Sequence, residues 1–276
     1  MDISSKIKFN STINNEDDYI IGKRIGNGTY GSILECSRKS NNKVYAMKRI
    51  NMVYDELDIN KEENFLKLFK PYMNLCSLID TVIICDIKHI IMPLYNMNLL
   101  THINSDKYIV SKEIVLNYSK DILNGLKHLK HLKIIHGDLK PENIMLDGNN
   151  RLFIIDFGLS NNILNNHRMT TYYQSRWYRS PNIILGQKCG YEIDIWSFGC
   201  IFSEIIDSVA LFMGKKSLPS IGLPFKNSNN QLLLYIELLG VPSNEYLKDC
   251  QNLYKYFKKN YLLIKGGNSF KYKPKE

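Results

Sequence analysis

The hydrophobic pattern changes near residue 95, and this change constrains the fold more than any other feature of the sequence. Before it, short strand-like runs such as Val44–Lys48 and Ile90–Met92 are separated by turn signals, and one helical pattern covers residues 58–70. After it, the long periodic segments are helical, including residues 191–207 and 230–239. A β-rich part followed by an α-rich part predicts an α+β fold with two lobes: a small antiparallel β lobe with one helix, and a larger, mainly α-helical lobe.

The two lobes are expected to form one domain over residues 19–276, divided into 19–95 and 96–276, behind a polar extension of residues 1–18. That extension has no apolar core, so a secretory signal is not expected. No apolar run approaches the roughly 18 residues that would span a membrane. The six cysteines form no CxxC pair, which argues against a zinc site or a disulfide framework and favours an intracellular location, in the cytoplasm, the nucleus or both.

The net charge of +9 is the only feature that favours a nucleic-acid-binding protein. The lysines are spread along the chain, and no motif interleaves aromatic and basic residues as nucleic-acid-binding modules do. We therefore interpret the charge as a source of solubility and of attraction to phosphate groups, and we expect no specific nucleic acid and no membrane among the partners.

Gly26, Gly28 and Gly31 stand between two strand-like segments. Dinucleotide-binding folds use the same GxGxxG spacing, but they need a helix directly after the glycines. The strand-like run Ile33–Cys36 follows here instead. Glycines between two strands can lower the backbone onto a triphosphate, although an ordinary glycine hairpin explains these three residues equally well.

Lys48 ends a predicted strand, where its ammonium can act as a point charge for phosphate oxygens if a carboxylate holds it in place. Glu62 is the favoured partner because its helical face also carries apolar residues, namely Phe65, Leu66 and Phe69. The alternative partner is Glu63, whose neighbours at +4 and +7 are Lys67 and Lys70. A further alternative is that both glutamates lie on the solvated surface, as most glutamates do.

The segment His136–Asn143 is the strongest local signal, because it places a carboxylate, an ammonium and an amide close together at Asp138, Lys140 and Asn143. Asp156 follows soon after, between a buried strand-like run and Gly158. Each piece alone suits a turn with capping polar groups. Their order and spacing together favour a site that accepts a proton from a hydroxyl, steadies phosphoryl charge and binds magnesium.

With these residues the chain resembles the protein kinase family, whose motif set they match. The resemblance implies that ATP phosphates are covered by Gly26, Gly28 and Gly31. It implies that Lys48 holds the α and β phosphates and pairs with Glu62. It also implies that Asp138 orients the substrate hydroxyl and acts as the base, that Lys140 contacts the γ-phosphate, and that Mg²⁺ is bound by Asn143 and Asp156.

The same resemblance implies an adenine site. Met92 would be the gatekeeper residue, and Pro93 and Tyr95 would offer backbone groups to the base. The ring would lie between the side chains of Ile33, Ala46 and Leu146.

The segment Thr170–Pro181 resembles the activation segment of the group that contains cyclin-dependent, mitogen-activated and dual-specificity tyrosine-regulated kinases. Its Tyr-x-Gln-Ser-Arg motif, together with Gly137, is most similar to the dual-specificity tyrosine-regulated branch. The resemblance implies phosphorylation at Tyr172 and Thr170, with autophosphorylation of the tyrosine. A phosphate dianion needs guanidinium partners, and Arg176 and Arg179 lie four and seven residues after Tyr172. Arg179 also implies a proline after the phosphoacceptor of the substrate.

Gly137 replaces an arginine that many kinases use, beside the catalytic aspartate, to hold an activation-loop phosphate. We therefore expect activity to depend only weakly on a phosphate at Thr170.

Two features depart from the family pattern. Asn182 stands where the family usually has a glutamate that pairs with an arginine in a late helix, and the segment that carries this arginine is not found before Glu276. The last helices of the large lobe are therefore expected to be missing, and apolar surface is expected to be exposed beneath residues 191–207.

The predicted function is transfer of the γ-phosphate of ATP to serine and threonine hydroxyls of proteins, with Mg²⁺ and with tyrosine autophosphorylation, by a monomer. The alternative is a pseudokinase or scaffold whose shortened large lobe binds ATP without efficient turnover.

Overall fold

The computed structural model describes residues 18–28, 31–50, 56–163, 173–213, 227–258, 262–265 and 268–270. The chain separates into two compact units. The small unit contains Met1–Asn96 and Ile155–Gly158, and the large unit contains Met97–Ile154 and Leu159–Glu276. None of the helices in the described ranges is both long and apolar enough to cross a lipid bilayer.

The small unit is built on a five-stranded antiparallel sheet with the strand order β1-β2-β3-β5-β4. Its strands are β1 (Tyr19–Gly28), β2 (Gly31–Arg38), β3 (Val44–Arg49), β4 (Asp80–Ile84) and β5 (Ile87–Pro93). One face of the sheet carries a buried apolar cluster that includes Met47, Val82 and Ile91. In the central strand β3 the four residues from Tyr45 to Lys48 are all buried, so both of its faces are covered.

Helix α1 (Glu56–Leu68) is the one helix among the described residues of the small unit. Leu66 and the following Phe69 are buried. Glu62 and Glu63 are also buried, at 3% and 5% exposure, which is unusual for glutamate and requires compensating partners. The alternative in which both glutamates lie on the solvated surface is therefore wrong.

The large unit is mainly helical. Helix α3 (Lys112–His131) begins at Ser111, whose hydroxyl accepts a 3.2 Å hydrogen bond from the Ile114 amide, and serine is a favoured residue at such a position. One apolar stripe of this helix is buried, with Tyr118, Ile122 and Leu129 among its members. The other helices are α2 (Leu99–Ile103), α4 (Pro181–Leu185), α5 (Glu192–Asp207), α6 (Asn227–Leu239), α7 (Asn244–Lys248) and α8 (Leu253–Tyr256).

Short strands surround the loop that carries the strongest sequence motif. Strand β7 (Ile134–Ile135) leads into this loop and pairs with β10 (Asn161–Asn162). Strands β8 (Ile144–Leu146) and β9 (Leu152–Ile154) follow as a hairpin, and β6 (Met97–Asn98) pairs with β8. These pairings fix both ends of the segment 136–143.

In the described part of the chain, no helix follows α8. Three short antiparallel strands follow it instead: β11 (Phe257–Lys258), β12 (Leu262–Lys265) and β13 (Asn268–Phe270). The α+β class, the small antiparallel sheet and the mainly helical second unit are confirmed.

Candidate active site

The glycines of the small unit lie on a β-hairpin. Strands β1 and β2 pair with Gly28 opposite Gly31 and Gly26 opposite Ile33. A strand, not a helix, follows the glycines, so the dinucleotide-binding alternative is excluded by the local structure.

Strand β3 lies between β2 and β5 and brings the predicted adenine-site residues of the small unit onto neighbouring strands. Ala46 pairs with Met92, and Lys48 pairs with Ile33 on the other side. Pro93 ends β5, and the side chain of Tyr95, just beyond it, shares a hydrogen bond with the Cys76 thiol.

Lys48 is buried between two carboxylates. Its Nζ atom lies 2.6 Å from Oε1 of Glu62 and 3.0 Å from Oδ1 of Asp156. Burial opposes the charge on Lys48, but the two carboxylates outweigh burial and hold the pKa of the ammonium above its ordinary value. The ammonium is therefore charged and fixed in position, as a phosphate-binding point charge must be.

Helix α1 directs its two adjacent glutamates to different partners. Glu62 contacts Lys48, whereas Glu63 forms ion pairs with Lys67, at 2.6 Å, and with Lys88. Thr81 also donates a hydrogen bond of 3.1 Å to Glu63. Burial would raise the pKa of Glu63, but hydrogen bonds from the two lysines lower it below its ordinary value. Glu63 is thus fully occupied in holding α1 to the sheet.

The Asp156-Phe157-Gly158 turn is attached to the helix of the small unit. The ring of Phe157 is fully buried, with its centroid 4.5 Å from that of Phe69. The backbone of Phe157 also forms a hydrogen bond with Glu62. Asp156 adopts a left-handed backbone with φ of 60°, which a non-glycine residue seldom takes. Its carboxylate thereby reaches Lys48 from a distant part of the sequence.

In the large unit, the side chain of Asp194 on α5 anchors the start of the segment 136–143. Its carboxylate accepts hydrogen bonds from the backbone amides of His136, at 2.7 Å, and Gly137, at 3.0 Å. Asp194 is deeply buried, and burial raises the pKa of its carboxyl group against the pull of these donors. The side chain thus fixes two consecutive backbone amides just before Asp138.

Asp138 is surrounded by donors. Lys140 Nζ lies 2.8 Å from Oδ2 of Asp138. The Asn143 amide nitrogen donates to the Asp138 carbonyl at 2.8 Å and to Oδ2 at 3.3 Å. This use of its nitrogen orients Asn143 so that its amide oxygen is the atom offered as a ligand, and amide and carboxylate oxygens are the donors that Mg²⁺ prefers.

Ser175 is a member of the site that the sequence reasoning missed. Its backbone amide and its hydroxyl both donate to Oδ1 of Asp138, at 2.9 Å and 2.7 Å. Lys140 Nζ lies 3.1 Å from the same hydroxyl. The signal for Ser175 in the sequence is its place in the Tyr-x-Gln-Ser-Arg motif.

The sequence profile described as "Protein kinase domain" matches residues 19–255. This chain belongs to the protein kinase family. It is 32% identical over 232 residues to mitogen-activated protein kinase 10 of Arabidopsis thaliana, covering 81% of this chain and 56% of the relative. It is 30% identical over 210 residues to cyclin-dependent kinase-like 1 of Caenorhabditis elegans, covering 74% and 59%.

A third relative is named as a dual specificity tyrosine-phosphorylation-regulated kinase 3 homolog of Drosophila melanogaster. It is 31% identical over 251 residues, covering 87% of this chain and 28% of the relative. The three relatives confirm the predicted kinase group. Their similar identities leave the branch within the group a prediction. The chain spans little more than half the length of the first two relatives, at 56% and 59%.

Part of this kinase's activation segment is described. Tyr172 and Thr170, the predicted phosphorylation sites, lie outside the described residues. Gln174 is buried with φ of 67°, and its side chain binds α5 through the Ile193 carbonyl at 3.1 Å and the Ser197 hydroxyl at 3.0 Å. Arg179 donates to the Gln174 carbonyl from Nη2 at 2.8 Å.

The two predicted phosphate-binding arginines differ in their surroundings. Arg176 is exposed at the start of a short 3₁₀ turn. Arg179 is partly buried, and burial lowers the pKa of its guanidinium.

Leu146, the predicted adenine contact in the large unit, is buried on β8.

Asn182 of this kinase takes part in a chain of neutral amides. Its side-chain nitrogen donates to Oε1 of Gln187 at 2.7 Å, and Gln187 donates to the Tyr246 carbonyl at 2.8 Å. Helix α4 is thereby linked to α7 without a charge.

The expected exposure of apolar side chains is also found, on one face of α5, at Ile195, Phe202 and Ile206.

Proposed function

We propose that this chain is an ATP-dependent protein kinase that transfers the γ-phosphate of ATP to serine and threonine hydroxyls of proteins. The observation that carries the proposal is the environment of Asp138. Four donor atoms from three side chains and one backbone amide hold its carboxylate, which is the arrangement a catalytic carboxylate needs to be positioned before substrate arrives.

In this function, Asp138 receives the substrate hydroxyl and accepts its proton. A carboxylate has room for about four hydrogen bonds, so a hydroxyl must share or displace one of the present donors. Lys140 is the donor best suited to move, because its ammonium can follow charge that develops on the transferring phosphoryl group. Asn143 and the Ser175 amide keep the carboxylate in place meanwhile.

ATP would be held mainly by residues of the small unit. The hairpin glycines Gly26, Gly28 and Gly31 would cover the phosphates, and Lys48, held by Glu62, would bind the α and β phosphates. Adenine would contact Ile33, Ala46, Met92 and Leu146, with the backbone of Pro93 and Tyr95 at its edge. The apolar character and strand pairing of the first three support this assignment.

Magnesium would be held by Asn143 and Asp156. The described residues contain no group of three or more His, Cys, Asp or Glu side chains that could hold a metal. Mg²⁺ usually binds one or two protein oxygens together with substrate phosphates and water, and Asn143 and Asp156 offer two such oxygens. When bound, the ion neutralises charge on the phosphate oxygens.

For the substrate, we propose a proline after the phosphoacceptor. The left-handed backbone of Gln174 turns its carbonyl toward Arg179, which donates to it twice. A carbonyl used in this way is a poor acceptor for a substrate amide. Proline has no amide hydrogen to satisfy, so it loses nothing at this position.

For regulation, we propose autophosphorylation at Tyr172, with Thr170 as a second phosphorylation site of smaller effect. Arg176 supports this proposal because its guanidinium is exposed close to Tyr172 in sequence. Arg179 would assist from its partly buried position. The enzyme would act on intracellular proteins as a monomer, without nucleic acid or membrane.

The test is transfer of labelled phosphate from ATP to a basic protein, with Asp138→Asn as the inactive control. Mass spectrometry of the protein after incubation with ATP would locate phosphate, which we expect at Tyr172. Folded protein that binds ATP but transfers no phosphate would refute the proposal and favour the pseudokinase alternative. A peptide array would then show whether proline after the phosphoacceptor raises turnover.

A further inference from the structure

Gly137 lies in a place where a side chain would be strained and would collide with Tyr173. Its backbone is left-handed, with φ of 78°, a conformation that side chains disfavour. The space beside it is occupied as well. A Cβ atom at this position would lie far inside the van der Waals contact distance of the Tyr173 hydroxyl and of two carbons of its ring. The arginine that many kinases carry here would therefore require the Tyr173 ring to move.

Tyr173 connects three segments of the large unit by uncharged contacts. Its ring packs against an apolar cluster that joins β7, α4 and α5, formed by Ile135, Ile183 and Ile193. Its hydroxyl donates to the carbonyl of Leu159, the residue directly after the Asp156-Phe157-Gly158 turn. The ring thus lies over the catalytic loop and also binds the start of the activation segment.

The two residues that follow Tyr173 are anchored on other sides. Gln174 binds α5 and accepts a 2.8 Å hydrogen bond from the Ser180 amide. Ser175 binds Asp138 with both its amide and its hydroxyl. Residues 173–175 are therefore all anchored, and the last of them contacts the carboxylate of Asp138. A displacement at Tyr173 would be transmitted to Ser175 across only one residue.

We propose that Tyr173 is a positioning residue for Asp138, and that it does by aromatic packing over Gly137 what an arginine at that position does through a phosphate. The inference rests on the proposed kinase function. The ring and a side chain at position 137 exclude each other, so the two positions should behave as one unit. Because every contact of Tyr173 named above is uncharged, this hold on Ser175 requires no phosphate on the activation segment.

A double-mutant cycle tests the proposal with Gly137→Ala, Tyr173→Val and the combination, measuring kcat, KM for ATP and the thermal unfolding midpoint of each. Each single variant should lower kcat about tenfold, and KM for ATP should stay unchanged, because Lys48 and its partners lie in the other unit. In the double variant the clash is gone, so Gly137→Ala should add to Tyr173→Val only the strain of alanine at positive φ, and the coupling should approach tenfold. The strain of alanine at positive φ is present in both backgrounds and cancels.

Ile183→Val is the matched control. It removes one methylene from the cluster that Tyr173 packs against, so it should lower the unfolding midpoint without changing kcat. Tyr173→Phe keeps the ring and loses the bond to Leu159, so its kcat should lie between those of wild type and Tyr173→Val. If the wild type is active but the effects of the two substitutions are additive, the role proposed for Tyr173 is refuted and the kinase function stands. Wild type that transfers no phosphate would instead refute the kinase function and this role with it.

Discussion

The two charged centres of this protein kinase family member are held by different physical means. In the small unit, Lys48 has a side-chain exposure of 3% and is balanced by two carboxylates. In the large unit, Asp138 is held by neutral donors and by Lys140, whose side-chain exposure is 21%. The Lys48 centre depends on charge balance in a buried environment. The Asp138 centre depends on several hydrogen bonds to one carboxylate, so the loss of one leaves the others in place.

This difference predicts different failures. Removing one partner of a buried ion pair leaves a charge without compensation, so the fold of the small unit should suffer. Removing one donor from Asp138 leaves three others, so the geometry should loosen without loss of the fold. Substitutions at the two centres can therefore separate stability from turnover.

The largest effect is expected for Asp138→Asn. The amide keeps the size of the carboxylate but cannot accept the hydroxyl proton, so kcat should fall about 10³-fold. The unfolding midpoint should fall modestly, because the amide offers one oxygen acceptor to the surrounding donors where the carboxylate offers two. Retained turnover in this variant would contradict the assignment of Asp138 as the base.

Lys48→Met should have the next largest effect, and it should be an effect on stability. It leaves Glu62 buried and Asp156 partly buried without this cation, at a cost of about 3–5 kcal/mol in the free energy of unfolding. Urea denaturation measures this cost. The matched control is Lys67→Met, which removes a partly exposed partner of Glu63 and should cost under about 1 kcal/mol because Lys88 remains. Equal losses in the two variants would show that Lys48 is not the critical buried charge.

Ser175→Ala should have a moderate effect on turnover. It removes the hydroxyl that donates to Asp138 and leaves the backbone amide bond intact. The loss of one hydrogen bond to a charged group predicts a decrease in kcat of about tenfold with unchanged affinity for ATP. Ser175→Thr retains the hydroxyl and should retain most of the activity. A threonine variant as weak as the alanine variant would point to packing instead of hydrogen bonding.

The smallest effect is expected for Gln187→Ala, which breaks the amide chain between Asn182 and the Tyr246 carbonyl. Two neutral hydrogen bonds to amide groups and one with the Cys250 thiol are lost at a partly buried position, so the free energy of unfolding should fall by about 1–2 kcal/mol. Because no charge is involved, this loss should be the same at low and high salt. A loss that shrinks with added salt would reveal a hidden ionic contribution at this link.

Several elements of the fold and site follow from local patterns. The strands of the sheet, the start of α3 at Ser111 and the order of Lys48, Asp138 and Asp156 along the chain could be predicted, because each depends on residues within a few positions. The choice between Glu62 and Glu63 was also favoured correctly by helical spacing. The role of Ser175 was missed, because its partner Asp138 lies 37 residues away in sequence.

Residue type and local spacing were therefore enough to predict the α+β architecture, the kinase motifs and the identity of the charged groups. How those groups are held follows only from the three-dimensional fold. It brought Asp156 to Lys48 across 108 residues, placed the Tyr173 ring over Gly137 and linked Asn182 to Gln187 by neutral amides. These contacts depend on the path of the chain between distant segments, which is fixed only when the core packs.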